Sequence, residues 1–230
     1  MSFGTLYIHQ NPNPRTTAIM AIAEAHGIQL DIVNATRAEE KNFKKLLEIN
    51  PLGQIPTFVG KDGWVLSECI PIALYITSQS DSTTLMGSNR REYYEIIQWM
   101  SFANGDMLPC IGGCILPLIG RPQVIRSNVQ DCLRSMHRHF KIFNEHLATR
   151  KYLVGTELTT ADLFIVAMLV DAYRVFHPMM DSDYSNLMRW FHEIYELPIY
   201  KSMAGELKLL NLDYPKLVPD KINGVTPKSS

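Results

Sequence analysis

An α/β unit followed by an all-α unit is the architecture this sequence predicts, and three observations predict it. Short apolar runs alternate with helical stretches over the first 80 residues. A polar segment without periodicity, Ser78 to Thr84, then interrupts the pattern. Beyond it the apolar residues recur at the three-four spacing of helices. The expected division is residues 1–80, a linker at 81–87, a helical domain at 88–212 and an extended tail at 213–230.

The elements follow in order. Thr5 to His9 reads as a strand, and Arg15 to Gly27 as a helix that Gly27 ends in a left-handed conformation. Gln29 to Asn34 reads as a second strand with Leu30 and Ile32 on one face. The charged stretch Ala38 to Asn50 reads as a helix stopped by Pro51. Ile55–Gly60 and Trp64–Ser67 flank a Lys61-Asp62-Gly63 turn, which makes a hairpin. A helix begins near Glu68 and tolerates Pro71 in its first turn, where an amide would lack a partner anyway. In the second half, Tyr93, Ile96, Ile97, Met100 and Asn104 mark a helix opened by Asn89 and Glu92. The run from Leu108 to Pro117 holds two prolines and a glycine pair, which predicts a kinked helix or a reshaped loop. A long helix is expected from Pro122, with Val129, Cys132, Met136, Phe140, Phe143 and Leu147 as its core stripe. Another is expected from Thr160 to Phe176, and shorter ones over Leu187–Tyr195 and Ile199–Leu209.

Composition narrows the function classes. With 230 residues, 46% hydrophobic, the chain can bury a sizeable core. The net charge is -1 and no basic cluster interleaves with aromatics, so neither a nucleic-acid partner nor a polybasic membrane contact is expected. No unbroken apolar run reaches the roughly 18 residues of a membrane span, and the N-terminus does not read as a signal peptide. A cytoplasmic protein is the expectation. The four cysteines, Cys69, Cys110, Cys114 and Cys132, lack disulfide-framework spacing and accompanying histidines, so no metal site is expected and a reducing compartment suits them.

The chemistry concentrates in two places in the first half. A proline opening a strand after a loop, as in Ile55-Pro56, is confined to an edge or an irregular position. A cis bond there turns the Ile55 backbone outward, leaving an amide and a carbonyl to hold an extended peptide as an added strand would be held. Glu68 stands at a helix N-terminus, where amides favour anionic groups and a carboxylate catches an ammonium. Together these suit a small zwitterionic peptide. Each alone equally suits a structural part, an edge proline or a first-turn acid.

Asn50-Pro51-x-Gly53-x-Ile55-Pro56, Leu66-x-Glu68-x-x-x-Ile72 and Gly155-x-x-x-Thr159-x-Ala161-Asp162 together resemble the glutathione transferase superfamily over residues 4–210. The phrases Gly4-Thr5-Leu6-Tyr7, Pro56-Thr57-Phe58-Val59-Gly60 and Gln98-Trp99-Met100-Ser101-Phe102-Ala103-Asn104 look most like the transferase domain of translation elongation factor 1B gamma and its short fungal relatives. The resemblance implies an N-terminal thioredoxin-like domain that binds glutathione, an all-helical C-terminal domain, and a homodimer. Thr159 and Asp162 also have the spacing of a capping box, a structural role.

The resemblance further implies roles for single residues. The Ile55 main chain beside Pro56 would pair with the cysteinyl part of glutathione, and Glu68 would face its γ-glutamyl end. Lys41 and Asn42, with Gln54 nearby, would grip the glycyl carboxylate. Cys69 replaces the usual serine, so a weak thiol donor stands where a hydroxyl is expected. The turn His9-Gln10-Asn11-Pro12-Asn13-Pro14-Arg15 holds no tyrosine, serine or cysteine to activate the thiol. Asn11 falls on the position of the serine, Asn13 is the alternative amide donor, and Arg15 adds positive potential. Phe102, Asn104, Met107, Leu108, Cys110 and Cys114 are the implied lining of a second-substrate pocket. A transferase acting on an electrophile, with a specialised pathway as one setting, a non-catalytic interaction module, and an isomerase or lyase that works with or without glutathione are the functions this leaves open.

Overall fold

The computed structural model describes residues 2–10, 13–80, 83–121 and 128–217. Among them the first half is β1 (Gly4–Ile8), α1 (Pro14–Ala25), β2 (Leu30–Asn34), α2 (Glu40–Ile49), β3 (Thr57–Gly60), β4 (Val65–Ser67) and α3 (Cys69–Thr77). The sheet order is β2-β1-β3-β4, with β1 parallel to β2 and antiparallel to β3. The expected order of elements is therefore present. As an edge strand, β2 leaves Ile32 46% exposed, so the apolar face expected for it is only partly covered.

The second half comprises α4 (Arg90–Phe102), α5 (Leu108–Ile115), α6 (Val129–His146), α7 (Thr160–Asp183), α8 (Ser185–Tyr195) and α9 (Pro198–Ala204). A π-helical turn, Ala103–Met107, joins α4 to α5, and a 3-10 turn, Leu116–Ile119, ends the run at Gly120 in the left-handed region. The irregularity expected around Leu108–Pro117 is thus a change of helical pitch within a continuous helix. Pro109 lies in the first turn of α5, preceded by the π segment, and Pro117 lies just after α5, at the point where the helix tightens to 3-10 pitch. The Leu108 amide bonds to the Ala103 carbonyl, the five-residue closure of a π turn. Residues 122–127, where the long helix is expected to begin, lie outside the described residues, and α6 starts at Val129.

One apolar core crosses both halves. Leu6, Ile19, Ile22, Phe58, Ile72 and Ile76 from the sheet and from α1 and α3 join Met100, Phe140, Phe164, Phe176 and Trp190. Tyr7, Ala35 and Leu46 form a smaller cluster on the α2 side. The α7 helix passes through the centre, with Leu163, Phe164, Ile165 and Val166 all fully buried. Two helical runs, 90–119 and 160–183, are long and apolar enough to cross a membrane by composition, and the second is 67% buried inside this fold, as a core helix is.

Expected to stop at Phe176, α7 instead runs through Pro178 to Asp183. Proline has no amide to give the carbonyl four residues earlier, that of Arg174. Here the Leu210 amide bonds that carbonyl at 2.8 Å, and the Arg174 Nε donates to the Lys208 carbonyl at 3.0 Å. The chain after α9 therefore supplies the donor that the proline withholds. It continues as an extended segment, with Tyr214 packed edge-on against Phe176.

The capping box stands as expected at the start of α7. The Asp162 carboxylate is fully buried and accepts from the amides of Leu153 and Thr159, the Thr159 hydroxyl and the Trp190 indole. Burial pushes its carboxyl upward, and these donors pull the other way.

Candidate functional site

The loop from α2 to β3 is tied by its own polar side chains. Buried Asn50 donates to the Thr57 hydroxyl at 3.0 Å and accepts from the Leu52 amide at 3.2 Å. The Thr57 hydroxyl in turn donates to the Gln54 carbonyl at 2.8 Å. Gly53 turns the loop at φ 60, a conformation that suits glycine. These bonds fix Gln54 on one side and Thr57 on the other. Between them Ile55–Pro56 is cis, and the Ile55 amide and carbonyl have no hydrogen-bond partner among the described residues.

Beyond the hairpin, Glu68 caps α3 at φ 72, ψ 131, the one non-glycine described residue with positive φ. Such a conformation costs about 1–3 kcal/mol and persists where surrounding structure imposes it. The carboxylate makes neither a cap bond nor an ion pair among the described residues. It borders a cavity of about 360 Å³ with Arg15, Gly53, Gln54, Ile55, Pro56, Ser67, Cys69 and Asn104. Burial pushes the Cys69 thiol up to about 11, with Arg15 opposing the shift, so the group is a neutral thiol at pH 7.

At the start of α1, Asn13 is the N-cap: its side-chain oxygen accepts from the Arg15 amide at 2.9 Å. This commits the Asn13 oxygen to the helix, and the residue is absent from the cavity lining. Asn11 lies outside the described residues. Arg15 does border the cavity, and its Nε donates to the Asn104 side-chain oxygen at 2.6 Å, joining the two halves of the fold.

A second cavity, of about 440 Å³, shares Gly53 and Ile55 with the first. Its other walls include His9, Gln10, Thr36, Arg37 and Phe43. The Thr36 hydroxyl is buried there without a hydrogen-bond partner, and the Arg37 guanidinium lies 5.9 Å from the Phe43 ring centre. Lys41, expected at this end, is exposed on α2 and borders neither cavity. Asn42 spends its amide on the Asn34 carbonyl at 2.8 Å, pinning α2 to the end of β2. Arg37 and Thr36 are the residues that sequence reasoning missed: one arginine ahead of a lysine-rich helix carries no signal of its own.

The expected second-substrate lining is largely core. Met107, Cys110 and Cys114 are at most 1% exposed, and burial pushes the Cys114 thiol up to about 12. Phe102 stacks on Phe143 and meets His139 edge-on, facing α6. Leu108 is half-buried against the same core. Of the six, Asn104 borders the cavity at Glu68. A different cavity, of about 370 Å³, adjoins the α1 N-terminus through Pro14 and Thr17 and is closed by α7 residues Val170 and Arg174 and by Leu207 and Lys208 after α9.

A family model for the glutathione S-transferase N-terminal domain matches residues 3–78, and one for the C-terminal domain matches residues 108–198. The chain is 41% identical to the glutathione S-transferase mdpJ of Emericella nidulans, over 93% of this chain and 96% of that protein. It is 41% identical to stcT, a glutathione S-transferase of the same organism, over 94% of this chain and 98% of that one. Among solved structures, the GST-like domain of elongation factor 1-gamma from Saccharomyces cerevisiae superposes with a TM-score of 0.77 at 26% identity, covering 94% of this chain and all of that domain.

Proposed function

The chain belongs to the glutathione S-transferase family, and from that footing we propose that it binds glutathione across the two adjoining cavities and adds its thiolate to an electrophilic small molecule. One observation carries the reading. Among the described residues, a carboxylate without a partner in one cavity and a cation beside a hydroxyl without a partner in the other are separated by Ile55, whose main chain is uncommitted. A short peptide with an ammonium at one end and a carboxylate at the other matches that order.

In this reading Glu68 holds the γ-glutamyl ammonium, and the α3 amides beside Cys69 take the carboxylate next to it. The Ile55 amide and carbonyl pair with the cysteinyl residue as an added strand. Arg37 and the Thr36 hydroxyl take the glycyl carboxylate, the role the family resemblance implied for Lys41 and Asn42, while Gln54 closes the loop side. The sulfur then lies toward Arg15 and the turn that contains Asn11. Positive potential from the guanidinium and the helix N-terminus favours thiolate over thiol.

The thiolate forms a carbon–sulfur bond with the electrophile while the thiol proton leaves to solvent or returns to the adduct. If the bond persists the protein is a transferase; if elimination follows, glutathione is regenerated and the protein is an isomerase or lyase. The electrophile sits in the cavity at Pro14 and Thr17. A dedicated substrate of a specialised pathway suits a site whose activating turn, residues 9–15, holds no tyrosine, serine or cysteine. The homodimer and the cytoplasmic location implied by the family complete the proposal.

Turnover of enone, epoxide and haloarene panels tests it: glutathione-dependent consumption of the electrophile is the expected outcome, with equal loss of glutathione for a transferase and no net loss for an isomerase or lyase. No turnover with any of them, together with co-purification of a large assembly, favours the interaction module, which the likeness to the elongation-factor domain supports. Arg37→Ala is expected to weaken glutathione binding about 10-fold and to leave the affinity of γ-glutamylcysteine, which has no glycyl residue, unchanged.

A further inference from the structure

The π turn between α4 and α5 has no counterpart elsewhere among the described helices, and it carries Asn104. Resting on the glutathione reading above, we infer that Asn104 is a positioning residue: it holds the Arg15 guanidinium by its Nε so that the two terminal nitrogens face the glutathione sulfur. The bond between the two side chains and their place on one cavity wall support this. The Arg15 Nε donates to the Asn104 side-chain oxygen at 2.6 Å, and both residues are half-buried on the wall of the Glu68 cavity. Arginine has five N–H donors in a rigid planar fork, so fixing the Nε also fixes the plane and the direction of the other four. Those four have no partner among the described residues, and no carboxylate forms an ion pair with Arg15.

The charge balance around Arg15 allows it this role. Within the cavity, Glu68 is the other charged group and Cys69 is a neutral thiol. Asp106 lies on the same π turn as Asn104, and His9 at the end of β1 borders the next cavity. On α7, Asp171 already holds Arg174 at 3.2 Å, and Glu206 and Lys208 follow α9 beside the cavity at Pro14. A neutral amide at position 104 orients the guanidinium without cancelling its charge, whereas a carboxylate there neutralises it. The widened turn matters because the Leu108-to-Ala103 closure inserts a residue into the helix at the point where Asn104 meets α1.

The test is the pH profile of turnover with glutathione, set beside the affinity for S-methylglutathione, which has no ionisable thiol. In Asn104→Ala the apparent pKa of the bound thiol is expected to rise by about one unit, with a roughly 10-fold slower rate at pH below it. S-methylglutathione affinity and the melting temperature should stay at their wild-type values. Asn104→Asp, which keeps a bond to Arg15 and so guards against a folding defect, is expected to raise the same pKa because its charge compensates the guanidinium. Asn104→Gln, which retains the amide oxygen, should recover part of the wild-type profile. A superimposable profile in the Ala or Asp variant overturns the inference, as does a parallel loss of S-methylglutathione affinity. Wild-type protein that binds neither peptide overturns the glutathione reading itself and the inference with it, a result distinct from either of these.

Discussion

Glu68→Gly is expected to lose about 30-fold in glutathione affinity while gaining roughly 1 kcal/mol in stability, which for a chain of this size raises the melting temperature by about 2–4 °C. The two changes have separate causes. Affinity falls because the carboxylate that receives the ammonium is gone, and a hydrogen bond to a charged group contributes about 1.5–3 kcal/mol. Stability rises because φ 72 with ψ 131 is a region that glycine occupies freely and glutamate does not. Part of that gain is offset by the greater freedom of glycine in the unfolded chain. Glu68→Ala separates the terms: affinity drops by the same factor, but the backbone strain remains and the melting temperature does not rise. Calorimetry and thermal melts on the two variants check both halves. An unchanged affinity in both would remove Glu68 from ligand binding and leave its conformation unexplained.

Asp162→Ala is expected to destabilise the protein by about 4–5 kcal/mol, a fall of roughly 10–20 °C in melting temperature, without altering glutathione affinity in the folded fraction. The side chain is inaccessible to solvent and satisfies the amides of Leu153 and Thr159 and the Trp190 indole nitrogen, all in the apolar interior. Alanine leaves these donors buried without acceptors and also removes the N3 half of the capping box that opens the central helix. Asp162→Asn keeps one acceptor oxygen but turns an amide donor toward other donors, so most of the loss should persist. Denaturant titrations give the magnitude. A loss below about 1 kcal/mol would mean that water or local rearrangement satisfies the freed groups.

The order of elements was legible because its signals are local. Alternation marked β1 and the hairpin, Gly27 and Pro51 marked helix ends, and Thr159 with Asp162 marked the start of α7 by spacing alone. Ile55, Pro56 and Glu68 stood out in the sequence for a related reason, a proline opening a strand and an acid opening a helix, and the structure brings all three to the wall of one cavity. The extension of α7 past Pro178 was not, because its remedy is the Leu210 amide, which arrives only after two further helices have folded back. Most residues expected to line a second-substrate pocket pack in the core instead, because Leu108–Ile115 is apolar almost all round and such a helix does not announce which face meets a pocket. Asn42 and Asn13 failed because an asparagine that looks available in sequence is spent locally in space, on the Asn34 carbonyl and the Arg15 amide. Arg15 and Asn104 were each singled out for separate sites. Their 2.6 Å bond shows that they share one wall of one cavity.

The most direct test of the account is a calorimetric titration of the wild-type protein with glutathione. Saturable binding at one site per chain, displaced competitively by S-methylglutathione, is the predicted result. A folded protein that gives no binding heat at any temperature tried, and no protection of its melting temperature by glutathione, would contradict it.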